Sequence, residues 1–200
     1  MNSRITRLNK AAKQFFKTHK DALMDIILFG SLMRGKEKPS DIDVLLIFNN
    51  AVNKNIEYEF RNILSKIEKN VSIVSRTKAD YKIPSFDARE GLLFEGYSIG
   101  GSKFVAEEFG FKSMGLFIYQ TKNLSNAEKT RFYYAMNGRT NTKGFIAQSG
   151  SIRLSDNMLV FDLSAVEDAK EFFQEWHIDY KFVPILLPER LARKYLLERK

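Results

Sequence analysis

The chain has 200 residues, of which 44% are hydrophobic and 13% aromatic, enough for one ordinary core or two small ones, which excludes a disordered or low-complexity chain. It contains no cysteine, which excludes disulfides and thiolate zinc sites, and it has no apolar run near the roughly 18 residues of a membrane span, so we expect a cytoplasmic protein without membrane contact. The net charge of +8 favours polyanionic partners such as nucleotides, RNA or DNA.

The first half of the chain alternates between helical and strand patterns. Residues 1–20 carry apolar side chains at helical spacing and six basic residues with no acid before Asp21. This pattern predicts an amphipathic helix whose basic face is more often solvated than used for binding. The next predicted elements are a strand, one helical turn with a loop, a strand, a helix and a strand, at residues 25–29, 32–40, 44–48, 53–69 and 71–74. The order favours an α/β sheet with helices packed on it.

A second module is expected after the Gly-rich junction at residues 98–102, so the predicted domains are 1–100 and 103–200. Ser125 and Glu128 form a capping box for a helix to Asn137, and Gly138 stands at its C-terminal cap position. The remaining predicted elements of this α+β module are two strands, a helix opened by a capping box of Ser164 with Glu167, a strand and a basic terminal helix, at residues 145–148, 152–161, 164–176, 181–187 and from 189.

The helix before Gly138 interleaves basic and aromatic residues. Phe132, Tyr133 and Tyr134 lie among basic side chains at positions 129, 131, 139 and 143. Such a pattern suits single-stranded nucleic acid, through phosphate contacts and stacking. The alternative, which we favour, is a core helix with its charges in solvent.

The stretch from Phe29 to Val44 carries the chemically informative residues. Asp41 and Asp43 alternate at the start of a buried strand, so their side chains project from one face about 7 Å apart. Two carboxylates there repel each other, and a divalent ion with oxygen ligands, Mg²⁺ or Mn²⁺, is the natural compensation. Gly30-Ser31 follows a strand end, where glycine lets a phosphate approach the backbone amides and Ser31 adds a hydroxyl donor.

This combination of strand, Gly30-Ser31, nine intervening residues, Asp41-Ile42-Asp43 and apolar strand resembles the signature of the DNA polymerase β-like nucleotidyltransferase superfamily. The resemblance covers about residues 10–97 and is closest to the minimal prokaryotic members. It implies a nucleotidyltransferase fold, with a small mixed sheet flanked by helices. It also implies Mg²⁺-dependent transfer of a nucleoside monophosphate, AMP from ATP in our expectation, to a hydroxyl on RNA, a protein or a small molecule, with release of pyrophosphate.

The resemblance also implies roles for individual residues. Asp41 and Asp43 would bind the metal ions and be catalytic. Gly30 and Ser31 would hold the β- and γ-phosphates. Arg34 and Lys36 are further candidates for contacts with the triphosphate, although both are more simply read as surface charges.

One position departs from the family pattern. Ser72 stands on the third strand where active members place a third carboxylate, and a serine hydroxyl is a poor base at neutral pH. A substrate phosphate could complete the metal's ligands, or one of the acids that follow could take the place of the missing carboxylate, although each of these acids is better read as structural; they are Asp80, Asp87, Glu90 and Glu95. Two functions stay open: an active nucleotidyltransferase, which we favour, and a degenerate relative that binds nucleotide or nucleic acid without turnover. By analogy alone, the second module would select the acceptor.

Overall fold

Two units make up the chain, residues 1–109 and residues 110–200. The computed structural model describes residues 3–36, 39–81 and 89–192. Among these residues, no helix combines the length and the apolar character needed to cross a membrane.

The first unit contains a mixed sheet flanked by helices, which confirms the predicted fold class. Within the described residues its elements are, in chain order, α1 (Ser3–Thr18), β1 (Leu23–Phe29), β2 (Ile42–Phe48), α2 (Lys54–Ser65), β3 (Val71–Thr77), α3 (Lys78–Tyr81), α4 (Arg89–Glu95), β4 (Tyr97–Ser98), β5 (Lys103–Phe104) and α5 (Val105–Glu108). The strand order is β3-β2-β1-β4-β5. The β2–β3 pair is parallel, and the other pairs are antiparallel.

Both faces of this sheet are covered, which explains why β1 and β2 are almost continuously apolar. Alternate residues of β1, such as Ile26 and Leu28, pack with the buried face of α1 and α2. Ile27 between them faces the opposite side, with Leu92 of α4 and Val105 of α5. The sheet is therefore a rigid central layer, and the ends of β1 and β2 hold the candidate site.

Two details of the first unit differ from the sequence prediction. Residues 31–35 form consecutive turns rather than a helical turn. The Gly30 carbonyl accepts from the Met33 amide, the Ser31 carbonyl from the Lys36 amide, and the Leu32 carbonyl from the Gly35 amide. In the Gly-rich segment 98–102, Ser98 ends β4 and residues 99–102 form the turn to its paired strand β5. The division between units lies between Phe109 and Gly110.

The second unit has an antiparallel sheet with helices. Its described elements are β6 (Phe111–Gln120), α6 (Asn126–Asn137), β7 (Gly138–Arg139), β8 (Thr142–Lys143), α7 (Phe145–Ser149), β9 (Ile152–Ser155), β10 (Met158–Asp162), α8 (Val166–Glu175), β11 (Asp179–Pro188) and α9 (Glu189–Ala192). The larger sheet has the order β11-β6-β10-β9, and β7 pairs with β8. The capping box of Ser125 with Glu128 is present at α6.

Three local predictions in the second unit were wrong. Residues 145–148 are helical, because the amide of Gln148 bonds to the carbonyl of Gly144 at 3.0 Å and Phe145 stacks on Phe172 at 4.1 Å. The predicted box at Ser164 is absent: α8 begins after a 3₁₀ turn, with Ala165 at its cap. The long strand β6, which pairs with both β10 and β11, was not predicted.

Candidate active site

A tight turn follows β1 and carries Gly30. Phe29, the last residue of β1, pairs with Asp43 on β2. Gly30 has φ of +88°, and a Cβ built on it would lie 2.5 Å from Oδ2 of Asp43. Both the backbone conformation and the lack of space therefore require glycine. The Asp43 carboxylate is thus placed against the turn.

The two aspartates share this end of the sheet. Asp41 is exposed just before β2 and accepts a hydrogen bond of 3.0 Å from the Ser40 hydroxyl. Asp43 is half-buried, and burial raises the pKa of its carboxyl above the usual value. The negative charges of Asp41 and Glu95 raise this pKa further, against smaller opposing effects of Ser72 and Arg34. The site therefore holds more negative charge than its own cations balance, which favours binding of a cation.

Ser72 lies directly beside Asp43. The two residues are partners in the parallel register of β2 and β3, and the Ser72 hydroxyl hydrogen-bonds the Asp43 side chain. The position expected to carry a third carboxylate thus supplies a neutral donor that orients Asp43.

Glu95 is the acid whose place in this site the sequence did not reveal. It ends α4 and is 8% exposed. One carboxylate oxygen accepts from the amide of Gly30 at 3.0 Å, and the other pairs with Nη1 of Arg34. Glu95 therefore holds the turn through the Gly30 amide and Arg34. The only sequence signal was an acid inside the apolar segment Leu92-Leu93-Phe94-Glu95.

The other acids considered from sequence lie elsewhere. Asp80 accepts hydrogen bonds from the amide and hydroxyl of Thr77 and so caps α3. Glu90 is exposed on α4. Asp87 lies outside the described residues.

Arg34 and Lys36 follow Gly30 within the same loop. The guanidinium of Arg34 is held beside the turn by Glu95, and its side chain is 23% exposed. Lys36 donates its amide to the carbonyl of Ser31 at 3.0 Å, and both Lys36 and Ser31 are half-buried. All six residues predicted from sequence thus belong to this loop or to the start of the neighbouring strand β2.

The donor set fits a magnesium ion that is shared with a substrate. Among the residues that the structure describes, no group of three or more histidine, cysteine or acidic residues is arranged to hold a metal. Mg²⁺ is commonly bound through one or two carboxylates, with water and substrate phosphates completing its shell. Asp41 and Asp43 meet that requirement, and Glu95 is already engaged by Gly30 and Arg34.

The site combines a glycine turn with an acidic pair, and comparison with known proteins finds a family similar to this part of the chain. Residues 10–93 match the family described as "Polymerase beta, Nucleotidyltransferase". The matched residues are the part of the chain in which the motif predicted a nucleotidyltransferase domain. The match does not include residues 94–200.

Solved structures with a similar chain include two toxin–antitoxin crystal structures. One is a mutant of the toxin–antitoxin MntA-HpeT, at 15% identity over 50% of this chain and 83% of that chain, with a TM-score of 0.37. The other is a toxin–antitoxin with AMP-PNP, at 18% identity with the same coverage and TM-score. No curated protein matches this chain.

The raised pKa of Asp43 predicts a pH-dependent effect on stability. A carboxyl whose folded-state pKa lies above its unfolded value of 3.8 favours folding most below that value, and this contribution is lost as the pH rises through the folded pKa. Without divalent ions, Asp43→Asn should therefore unfold at a higher temperature than the wild type at pH 7, and the difference should shrink towards pH 4. Asp179→Asn, an exposed acid of the second unit, is the control; a lower unfolding temperature for Asp43→Asn at pH 7 would contradict the analysis.

Glu95→Gln tests whether Glu95 holds the turn. The substitution keeps an acceptor for Gly30 but removes the charge facing Arg34, and the Glu95 side chain is only 10% exposed. We expect a loss of about 3 kcal/mol in the free energy of unfolding by urea. The exposed neighbour Glu90→Gln should change it by less than about 0.5 kcal/mol. Equal effects of the two variants would show that Glu95 has no special structural role.

Proposed function

We propose that the first unit transfers AMP from ATP to an acceptor hydroxyl, with release of pyrophosphate. The observation that supports this proposal is the close approach of the Asp43 carboxylate to Gly30. It joins an acidic pair to a phosphate-sized turn, which are the two parts that phosphoryl transfer needs for ion binding and for positioning. The family match supports nucleotidyl transfer in general. The choice of ATP, of the ion and of the acceptor is part of our proposal.

The turn supplies the phosphate contacts in this scheme. Gly30 allows the close turn at the end of β1, with its amide bonded to Glu95, and the Ser31 hydroxyl is a donor for the β- and γ-phosphates. Arg34 is kept beside the turn by Glu95, so its positive charge is oriented before the substrate arrives. Lys36 adds a second positive charge in the same loop. The hydrogen bond from its backbone amide to the carbonyl of Ser31 holds it there.

Asp41 and Asp43 would hold Mg²⁺ or Mn²⁺. When bound, such an ion neutralises charge on the phosphoryl oxygens and on the pyrophosphate leaving group. The half-buried Asp43 keeps its orientation through Ser72, whereas the exposed Asp41 can adjust to the substrate. Burial and the neighbouring negative charges raise the pKa of Asp43, and this supports the assignment because a bound cation would offset both effects.

The acceptor side of the reaction has fewer groups. Ser72 occupies the strand position from which a carboxylate would favour loss of the acceptor's proton, and its hydroxyl is instead a donor to Asp43. We therefore expect slow turnover with simple alcohols, and faster transfer to an acceptor that brings its own anionic group to the ion. A hydroxyl on RNA, on a partner protein or on a phosphorylated small molecule fits this requirement.

The serine at position 72 also suits a second function, binding without catalysis. With Ser72 in place of an acid, and with no cluster of three or more metal-ligating side chains in the described ranges 3–36, 39–81 and 89–192, the site also fits a protein that binds nucleotide or nucleic acid without turnover. Activity measurements separate the two functions.

Transfer should depend on both aspartates. The purified chain is incubated with α-labelled ATP, Mg²⁺ or Mn²⁺, and RNA or protein extract from the host, and covalent label and pyrophosphate are measured. Asp41→Asn and Asp43→Asn should each lower transfer by at least about a hundredfold, because each removes one carboxylate from the ion. Glu90→Gln should leave the rate unchanged. Full activity in either aspartate variant would reject the assigned roles, and binding of ATP with no label on any acceptor would favour the non-catalytic function.

Restoring an acid on β3 should strengthen ion binding. Ser72→Asp adds a carboxylate beside Asp43, and we expect roughly tenfold tighter Mn²⁺ binding, measured by electron paramagnetic resonance of the free ion. Ser72→Asn has a similar size without the charge and should not strengthen binding. Equal Mn²⁺ affinity of the two variants would mean that the ion does not lie between β2 and β3.

A further inference from the structure

The second unit contains a cavity that the proposed transfer reaction does not use. It lies beside α6 and has a volume of about 480 Å³, within the usual range of small-molecule pockets. The lining residues that carry the argument are Tyr119, Lys122, Lys129, Phe132, Tyr133 and Arg153. The cavity therefore joins the end of β6, one side of α6 and the strand β9.

Positive charge dominates the lining. Lys122, Lys129 and Arg153 face one acidic residue, the exposed Asp156. None of these three cations forms an ion pair among residues 3–36, 39–81 and 89–192. An anionic group in the cavity would be attracted by all three.

Arg153 gives the most specific indication. Its Nε is buried and has no hydrogen-bond partner within the described part of the chain. A buried donor without an acceptor costs folding free energy, and the rest of the guanidinium of this lining residue offers charged N–H donors to an anionic oxygen in the cavity. Arg153 sits on β9 near Tyr119, whose hydroxyl donates to the carbonyl of Asp156 at 2.7 Å. This bond fixes the wall of the cavity next to the guanidinium.

An exposed aromatic ring completes the site. The sequence left α6 open between a core helix and a nucleic-acid contact, and the structure gives its aromatic residues different environments. Phe132 is 4% exposed and belongs to the core, whereas Tyr133 is 58% exposed and lines the cavity. The adjacent Tyr134 is outside the lining, and the guanidinium of Arg139 lies 4.6 Å from its ring centre. Tyr133 is thus the ring on which a planar base can stack beside the cations.

We propose that this cavity binds a nucleotide unit, with its phosphate at Lys122, Lys129 and Arg153 and its base on Tyr133. The unit comes either from a free nucleotide or from a single-stranded nucleic acid, because both present the same chemistry. This site is separate from Asp41 and Asp43 in sequence and in unit, so it stands whether or not the first unit transfers AMP.

Binding is measured with the full chain in EDTA, which removes any contribution of divalent ions at Asp41 and Asp43. One arm titrates AMP by calorimetry, and the other titrates a labelled RNA of about ten nucleotides by fluorescence anisotropy at low salt. Saturable binding of AMP alone assigns a free nucleotide. Binding of the RNA, weakened by added salt, assigns a single strand. Binding of neither overturns the proposal.

Matched variants locate the site. Joint Lys129→Gln and Arg153→Gln substitution should weaken binding about tenfold or more and reduce its salt dependence. Tyr133→Leu should weaken it about fivefold or more through lost stacking. Lys181→Gln, an exposed lysine of the same unit, and Tyr134→Leu, the adjacent tyrosine, should leave it nearly unchanged. Equal losses in the cavity variants and in these controls, or a loss confined to Asp43→Asn, would overturn the proposal.

Discussion

The candidate site depends on the contact between the Asp43 carboxylate and the backbone of Gly30. A side chain at Gly30 would have its Cβ 2.5 Å from Oδ2 of Asp43, so the turn closes on the carboxylate only because the residue is glycine. Glu95 accepts a hydrogen bond of 3.0 Å from the Gly30 amide. The turn thus contacts acids that come from β2 and α4, and its geometry depends on the folded sheet as well as on the hydrogen bonds within the loop.

The two acids next to the turn have different electrostatic environments. This difference assigns Glu95 a structural role and Asp43 the proposed ion-binding role. Glu95 is buried and its charge is offset by Arg34. Asp43 has the exposed Asp41 as its near neighbour and a neutral hydroxyl at Ser72, so burial and like charge raise its pKa. The negative charge that no cation offsets thus lies at Asp41 and Asp43, which are the residues proposed to bind the divalent ion.

The sequence predicted the parts of this site that depend on local spacing and missed those that depend on distant contacts. Strand alternation predicted that Asp41 and Asp43 share one face, and the resemblance of the whole motif to a known family implied that this pair serves the same site as Gly30. Glu95 acts on Gly30 from 65 residues away, and no local pattern reports such a contact. The missed strand β6 contains Gly115, whose missing side chain leaves room for Val166 but also interrupts the apolar alternation that marks a strand. Residues 145–148 were predicted as a strand because a run of three apolar residues followed by Gln148 is too short to show a period.

The most direct test is a crystal structure of the chain with Mn²⁺ and a non-hydrolysable ATP analogue, using the anomalous scattering of manganese to locate the ion. If Asp41 and Asp43 bind the ion, we expect a manganese peak about 2.1 to 2.2 Å from carboxylate oxygens of both residues, with the β- and γ-phosphates against Gly30 and Ser31. A nucleotide bound elsewhere on the first unit, or an ion that contacts neither aspartate, would contradict it.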